Sequence, residues 1–322
     1  MADELKLLEV PTTNSGNLKV FIQGNADDKQ GRSFFLTVHD MGTNHKSMVN
    51  FVNHPTMTEV KQKSVFLHVC VPGQEDNAPN LTHEFPTLQQ LGEDLVCVLE
   101  AVGVKTCIAL GEGAGANIVC RFAMAHPNRL LGVAMLHPTA TTAGVLEYLK
   151  DKVINFRLGG GQMHQGAWEY LVFHKFGPGQ DERKEYIKSF LDDLQQRMNA
   201  GNLSRYLDSF LKRTDLSSTL ASKLKMDALL VVGSKASHLH TIYTMHQAMP
   251  RDKATLLVVD GVGDVMTESP ERLTRALILF CKGCGVLSGV TIPGMERQRT
   301  LSSSMEEADK PRKMSIPGPG TK

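Results

Sequence analysis

Seven short runs rich in β-branched and aromatic residues, separated by segments of helical periodicity, restrict this chain to a layered α/β fold. The runs are Leu18–Gln23, Ser33–Val38, Ser64–Cys70, Thr106–Leu110, Gly132–Leu136, Asp227–Val232 and Thr255–Val259. Each is short enough for a strand and too apolar for a loop. Between them, Leu88, Leu91, Leu95, Leu99 and Val102 recur at helical spacing and predict a helix over Thr87–Val102. Ile118, Val119, Phe122 and Ala125 predict another from Gly115 to His126, ended by Pro127. Strands alternating with helices in this way form βαβ units around a mostly parallel sheet.

The alternation breaks from about residue 144 to 224. That stretch carries helical patterns only, including Arg183–Met198 and Leu203–Arg213. Helices inserted between sheet strands are expected to form a cap over the strand ends. A last helix is predicted over Pro270–Cys284. Residues 286–322 hold few large apolar groups and many Ser, Gly, Pro and charged residues. Such a segment does not bury enough surface to offset its ordering entropy. The expected organisation is therefore a domain over 1–285, with the cap at about 144–224, and a disordered tail over 286–322.

Bulk properties exclude several functions. The net charge of the 322 residues is +1, so there is no basic face for nucleic acid. No run reaches the ~18 consecutive apolar residues of a transmembrane segment. Met1 to Lys6 is charged and lacks the apolar core of a signal peptide. Four of the six cysteines fall in apolar segments, as expected of buried thiols in a reducing compartment. Cys281 and Cys284 form a C-x-x-C at a helix end, without the second pair that zinc requires. The expected location is the cytoplasm, with no metal and no cofactor.

The most informative motif is Gly111-Glu112-Gly113-Ala114-Gly115, between a strand and a helix. A hydrolase nucleophile elbow, G-x-S-x-G, has this shape and this context. Here Gly113 stands at the nucleophile position. A dinucleotide fingerprint has a similar context but needs G-x-G-x-x-G and an acidic residue closing the next strand. The next strand ends Met135-Leu136-His137-Pro138 instead. In an elbow architecture the catalytic histidine follows the last strand, where this chain reads Asp260-Gly261-Val262-Gly263-Asp264. Asp264 stands in its place, and a carboxylate is no base for neutral pH unless its pKa is strongly raised. The acid position lies within Gly233–Ser237, at Ala236, with no carboxylate. Gly113, Asp264 and Ala236 thus read as three vacant triad positions, and triad members act as a unit.

Further loops should converge on the same strand ends. One reads His39-Asp40-Met41-Gly42 and sits where hydrolases place an oxyanion-hole loop. Candidate pocket residues are His39, Asp40, Gly42, Glu112 and Ala114. His39 and Asp40 equally suit a turn closed on its own backbone. The Val71–Asn77 loop suits a solvated turn or a pocket rim. His238 and His240 do not share a helix face. Trp168, Tyr170 and Phe173 are expected to pack the cap.

Four stretches, Val38-His39-Asp40-Met41-Gly42-Thr43-Asn44-His45-Lys46, His68-Val69-Cys70-Val71-Pro72-Gly73-Gln74-Glu75-Asp76, Gly111-Glu112-Gly113-Ala114-Gly115-Ala116 and Leu229-Leu230-Val231-Val232-Gly233, make the chain similar to the N-myc downstream-regulated (NDRG) family of α/β-hydrolase-like proteins. Asn199-Ala200-Gly201-Asn202-Leu203 resembles that family's cap. The resemblance spans roughly 15–285. Cys70 departs from the family's D-x-P-G-Q run, and His137-Pro138 from its N-x-N-P.

The resemblance implies a non-enzymatic, mostly cytoplasmic protein tied to differentiation, stress response and signalling. It also implies a tail phosphorylated by a basophilic kinase. Arg297-Gln298-Arg299-Thr300-Leu301-Ser302 and Arg312-Lys313-Met314-Ser315 match basophilic sites, so Ser302, Ser315 and Thr300 are the candidates. The functional expectation is a non-catalytic adaptor that binds protein partners. Two alternatives are a module binding a small apolar ligand or lipid in a residual pocket, and a hydrolase with relocated catalytic residues.

Overall fold

The computed structural model of the protein describes residues 5–141 and 165–295. Eight strands form one sheet in the order β1-β2-β4-β3-β5-β6-β7-β8. They are β1 (Lys6–Pro11), β2 (Asn17–Gln23), β3 (Ser33–Val38), β4 (Ser64–Cys70), β5 (Cys107–Glu112), β6 (Leu130–Leu136), β7 (Asp227–Gly233) and β8 (Ala254–Val259). β2 runs antiparallel to β1 and to β4, and the neighbours from β4 to β8 are parallel. The α-helices are α1 (His45–Val52), α2 (Thr58–Gln62), α3 (Leu88–Val102), α4 (Ala114–Ala125), α5 (Gln165–Phe176), α6 (Lys184–Arg197), α7 (Ala200–Leu211), α8 (Ser217–Lys223), α9 (Leu239–Gln247), α10 (Val265–Glu268) and α11 (Pro270–Gly283).

The two-residue period of the strands divides the core into two layers. Leu36, Leu67, Ala109, Val133 and Leu230 face α3, α4 and α9 in one cluster. Phe35, Phe66, Ile108, Ala134, Leu229 and Val231 face α1 and α11 in the other. Strands β3 to β7, buried on both faces, read as continuous apolar runs, and with β2 and the half-buried edge strand β8 all seven expected strands are present within a residue or two. β1 carries no such signal. Only Val10 of its six residues is buried, because this edge strand contacts the sheet along one side.

Two helices start on local chemistry. Thr87 and Gln90 form a reciprocal capping box at α3, and Gly103 closes that helix in the left-handed region. Asn199 caps α7 by accepting from the Asn202 N–H at 3.1 Å. Asn202, on the first turn of α7, then donates to Gly73 O and Pro79 O and accepts from Leu81 N–H. One amide side chain thereby ties α7 to the β4–α3 loop.

The expected domain boundary at 285 moves outward. Leu287 and Val290 are buried against the α1/α11 layer. Lys63 Nζ donates to Gly289 O, and Lys282 Nζ to Ser288 O. Two well-placed apolar residues in a polar segment suffice to order it when side chains capture its carbonyls. Residues 286–295 therefore belong to the fold, and the rest of the expected tail lies outside the described residues.

Candidate functional site

The strand ends of β3, β5, β6, β7 and β8 converge beneath α5 and α7, with the 111–115 motif at the centre. β5 passes into α4 through Gly113, whose φ of 54° and ψ of −113° give the sharp turn of an elbow. Glycine adopts this conformation without strain. Gly115 lets α4 lie against the end of β3, since a Cβ there would collide with Val38 O and His39 O.

The room that the missing side chain of Gly113 would leave is not empty. A Cβ on Gly113 would fall inside the Asp40 carboxylate. Asp40 Oδ1 accepts from Met41 N–H and from Ala114 N–H, each at 2.7 Å. Those are the N–H after the β3 loop turn and the N–H after the elbow residue, the pair that forms an oxyanion hole in an elbow enzyme. The protein's own carboxylate takes both. His174 Nε2, from α5, closes the arrangement at 2.9 Å from Asp40 Oδ2. Asp40 is 3% exposed and His174 8%. Burial works to raise the Asp40 carboxyl, but the charge and hydrogen bond of His174 and the Ala114 N–H outweigh it and hold the group below the usual carboxylate range.

A second ion cluster adjoins the first. Lys175 Nζ lies 2.7 Å from Glu112 Oε1 and 2.9 Å from Asp264 Oδ2. Burial disfavours the charged Lys175, yet Asp264 and Glu112 together lift its pKa above the usual lysine value. Asp264 is held low, because Lys175 and His137 outweigh its burial. It also caps α10, accepting from Met266 N–H at 3.2 Å and from the Thr267 hydroxyl at 2.5 Å. Burial pushes Glu112 up to about 8 against the pull of Lys175. Its Oε2 has no hydrogen-bond partner.

Two histidines serve as neutral acceptors at the strand ends. His39 Nδ1–H donates to Asp40 O at 2.8 Å, and its Nε2 accepts from Val71 N–H at 3.0 Å. His137 takes a positive φ of 49° and accepts from Val265 N–H at 3.2 Å. Burial lowers both to about 4.

The sequence candidates thus divide. His39, Asp40, Glu112, Ala114 and Asp264 meet at the elbow, all buried. Gly42 lies under Phe190 and Leu194 of α6. Ala236 sits in the turn after β7 beside Gly177, and its neighbour Ser237 donates to His174 O at 2.7 Å. The space beside Gly113 is not open to a ligand, since Asp40 fills it. Glu75 and Asp76 are not a pocket rim either. They pair with Lys19 at 3.0 Å and with Lys46 at 2.5 Å. Tyr170 packs the core as expected, and His238 lies edge-on to Phe173. Ser302, Ser315 and Thr300 fall outside the described residues. No group of three or more metal-ligating side chains occurs among the described residues, and no described helix is long and apolar enough to cross a membrane.

His174 and Lys175 were not anticipated. Their signal was a polar pair, flanked by Phe173 and Phe176, in a helix whose buried face includes Ala167, Tyr170 and Leu171. Buried ionisable residues at such positions need partners, and the partners lay on three distant loops.

The sheet order, the elbow and the cap helices define an α/β-hydrolase-fold protein with an internal ion network at its elbow. Solved structures agree on the fold. An esterase from Thermogutta terrifontis superposes with a TM-score of 0.66 at 16% identity, covering 87% of this chain and 99% of that one. A hydrolase from Pseudomonas aeruginosa does so with the same TM-score at 20% identity, covering 87% and 99%. The model of the Ndr family matches residues 9–288, and the chain belongs to that family. The Caenorhabditis elegans protein ZK1073.1 is 59% identical over 98% of this chain and 97% of its own length. Protein NDRG2 of Bos taurus is 28% identical over 91% of this chain and 83% of its own.

Proposed function

We propose that this chain is a non-catalytic α/β-hydrolase-fold regulator or adaptor acting in the cytoplasm, and that its triad positions Gly113, Asp264 and Ala236 perform no chemistry. The observation that carries this reading is Asp40. Its carboxylate lies where a nucleophile would project and accepts from both N–H donors that an acyl oxyanion would need. A fixed internal anion in that place blocks the attacking group and the developing charge together. Asp264 fits the reading because Lys175 holds it as a carboxylate, unable to act as a base near pH 7.

The test is turnover of short and long acyl p-nitrophenyl esters and labelling by a fluorophosphonate probe. The expected result is no turnover above the buffer rate and no labelling. A measured activity abolished by Glu112→Gln or Asp264→Asn would overturn the reading. Introducing the missing nucleophile is expected to damage the fold rather than restore catalysis. Gly113→Ser puts a Cβ into Asp40 and a side chain at positive φ, and should cost about 2–4 kcal/mol in denaturant unfolding.

The regulatory half of the proposal rests on the basic motifs of the tail. A kinase that prefers upstream arginines is expected to phosphorylate Ser302, with Thr300 and Ser315 as further acceptors. The added charge would recruit an Arg-lined partner. Ser302→Ala should leave the unfolding midpoint unchanged and reduce kinase-dependent partner capture. Equal capture by both proteins would remove the tail from the proposal.

A further inference from the structure

Away from the elbow, a cleft of about 790 Å³ opens between the 82–89 segment and the C-terminal half of α7. Three arginines line it: Arg121, Arg205 and Arg213. Arg121 and Arg213 are 1% and 6% exposed. Buried guanidinium groups ordinarily meet a carboxylate, because an uncompensated buried charge costs several kcal/mol. These two meet only neutral acceptors. Arg121 donates to Asn117 Oδ1, Gln89 Oε1, and the hydroxyl and carbonyl of Thr214. Arg213 donates to Phe210 O, Thr139 Oγ1 and Thr141 O, and its buried Nε has no hydrogen-bond partner. Arg205 is exposed and spends one nitrogen on Leu81 O and His83 O.

These hydrogen bonds fasten the turn at 213–214 to α4 and to the end of β6. They account for most of the donors, and Glu93 near Arg121, with Asp215 and the face of the Phe210 ring near Arg213, offset the charges only in part. Among the described residues none of the three arginines forms an ion pair. Of the other charged residues lining the cleft, Lys212 is neutralised by Asp208 at 2.7 Å, which leaves Glu84 as the remaining acid. Three arginines against one glutamate leave a surplus of two positive charges. Burial, opposed by Tyr170 and Asp215 and aided by the repulsion of Arg121, lowers the Arg213 pKa to about 10. The first turn of α3 adds to the same field. Thr87, Leu88 and Gln89 line the cleft, and the first N–H groups of a 15-residue helix have no partner within the helix.

We propose that this cleft binds a dianionic phosphate group, either free or carried by a soluble phosphomonoester. Two surplus positive charges among the lining residues match a dianion, the exposed Arg205 keeps nitrogens for phosphate oxygens while the buried Arg121 and Arg213 add field, and the α3 terminus faces the same space. The site is separate from the elbow and stands whether or not the elbow is catalytically silent.

The test uses the full chain, inorganic phosphate and isothermal titration calorimetry, with sodium chloride at matched ionic strength as the control. Saturable phosphate binding without a chloride signal is expected. Arg205→Gln, at an exposed position, should fold normally and weaken phosphate by about tenfold, the loss of one charge-assisted contact. Glu84→Gln should strengthen it. Amide NMR signals of Leu88 and Gln89 should move during the titration in the parent protein. Glycerol 3-phosphate binding more tightly than phosphate, in competition with it, would assign a phosphomonoester. Equal affinities would assign free phosphate. The proposal is overturned by the absence of saturable binding, by acetate binding as tightly as phosphate, or by binding that Arg205→Gln leaves intact.

Discussion

Lys175→Met should destabilise the protein by about 3–5 kcal/mol, the range for removing one partner of a buried ion cluster. The side chain is 8% exposed and is the cation between Glu112 and Asp264. Methionine fills a similar volume, so packing loss is small and the effect isolates the charge. Without Lys175, Asp264 remains ionised only at the cost of an unpaired buried carboxylate, and it still has to cap α10. Lys175→Met combined with Asp264→Asn and Glu112→Gln should regain much of the stability, because three neutral groups of similar shape need no counter-charge. Chemical denaturation of the parent, the three single variants and the triple variant at pH 7 measures this. Additive losses in the triple variant would mean that the cluster contributes packing and hydrogen bonds rather than charge balance.

Acidification should unfold the protein steeply below pH 6.5. Burial holds His39 and His137 at about 4 and His68 at about 3, against 6.5 for an exposed histidine. His45, at about 3, and His238, at about 4, are lowered for the same reason. His68 is fixed as a neutral ring by Thr37 Oγ1 at 2.8 Å and Gln23 Oε1 at 3.1 Å. The unfolded chain binds these protons first, so their stability contribution is complete above pH 6.5 and is lost as the pH falls towards 4. Each proton is worth about 1.4 kcal/mol per pH unit, so the three fully enclosed rings alone give a slope of about 4 kcal/mol per unit.

Glu112 acts with the opposite sign. Its folded pKa of about 8 lies above its ordinary 4.5. Its contribution is therefore complete below 4.5 and is lost as the pH rises through 8. Stability should peak near pH 6.5–7, fall sharply on the acid side and gently on the alkaline side. Glu112→Gln should flatten the alkaline limb and steepen the acid one, because its window runs from 4.5 to about 8. Urea midpoints at half-unit intervals from pH 5 to 9 give the profile, and a flat line between 7 and 5 would refute the assignment of neutral buried histidines.

How much was legible before any coordinates depended on how far apart the interacting residues lie. The five strands β3 to β7 were readable because each is buried on both faces and so is mostly apolar, and β2 and β8 because their apolar residues stand close together. β1 was not, because an edge strand with one buried residue has the composition of a loop. The 286–295 segment was misread for a related reason: composition averages over a window, and Leu287 and Val290 act as two single anchors.

At the site, Gly113 follows β5, Ala236 follows β7 and Asp264 follows β8, because strand-end loops follow from topology. Their surroundings were not readable. A glycine at the elbow looks like open space in sequence. In three dimensions Asp40, 73 residues earlier in the chain, occupies that space and takes its two N–H donors.

The sequence by itself determined the α/β alternation, the elbow between β5 and α4, and the absence of a hydroxyl at its apex, since each is a local property of consecutive residues. Only the tertiary structure decided what stands in place of that hydroxyl. Pairing Asp40 with His174, and Lys175 with Glu112 and Asp264, requires a cap helix to descend on three strand-end loops. Contacts between groups so distant in the chain, stabilised by shared burial, leave no periodic trace in the sequence.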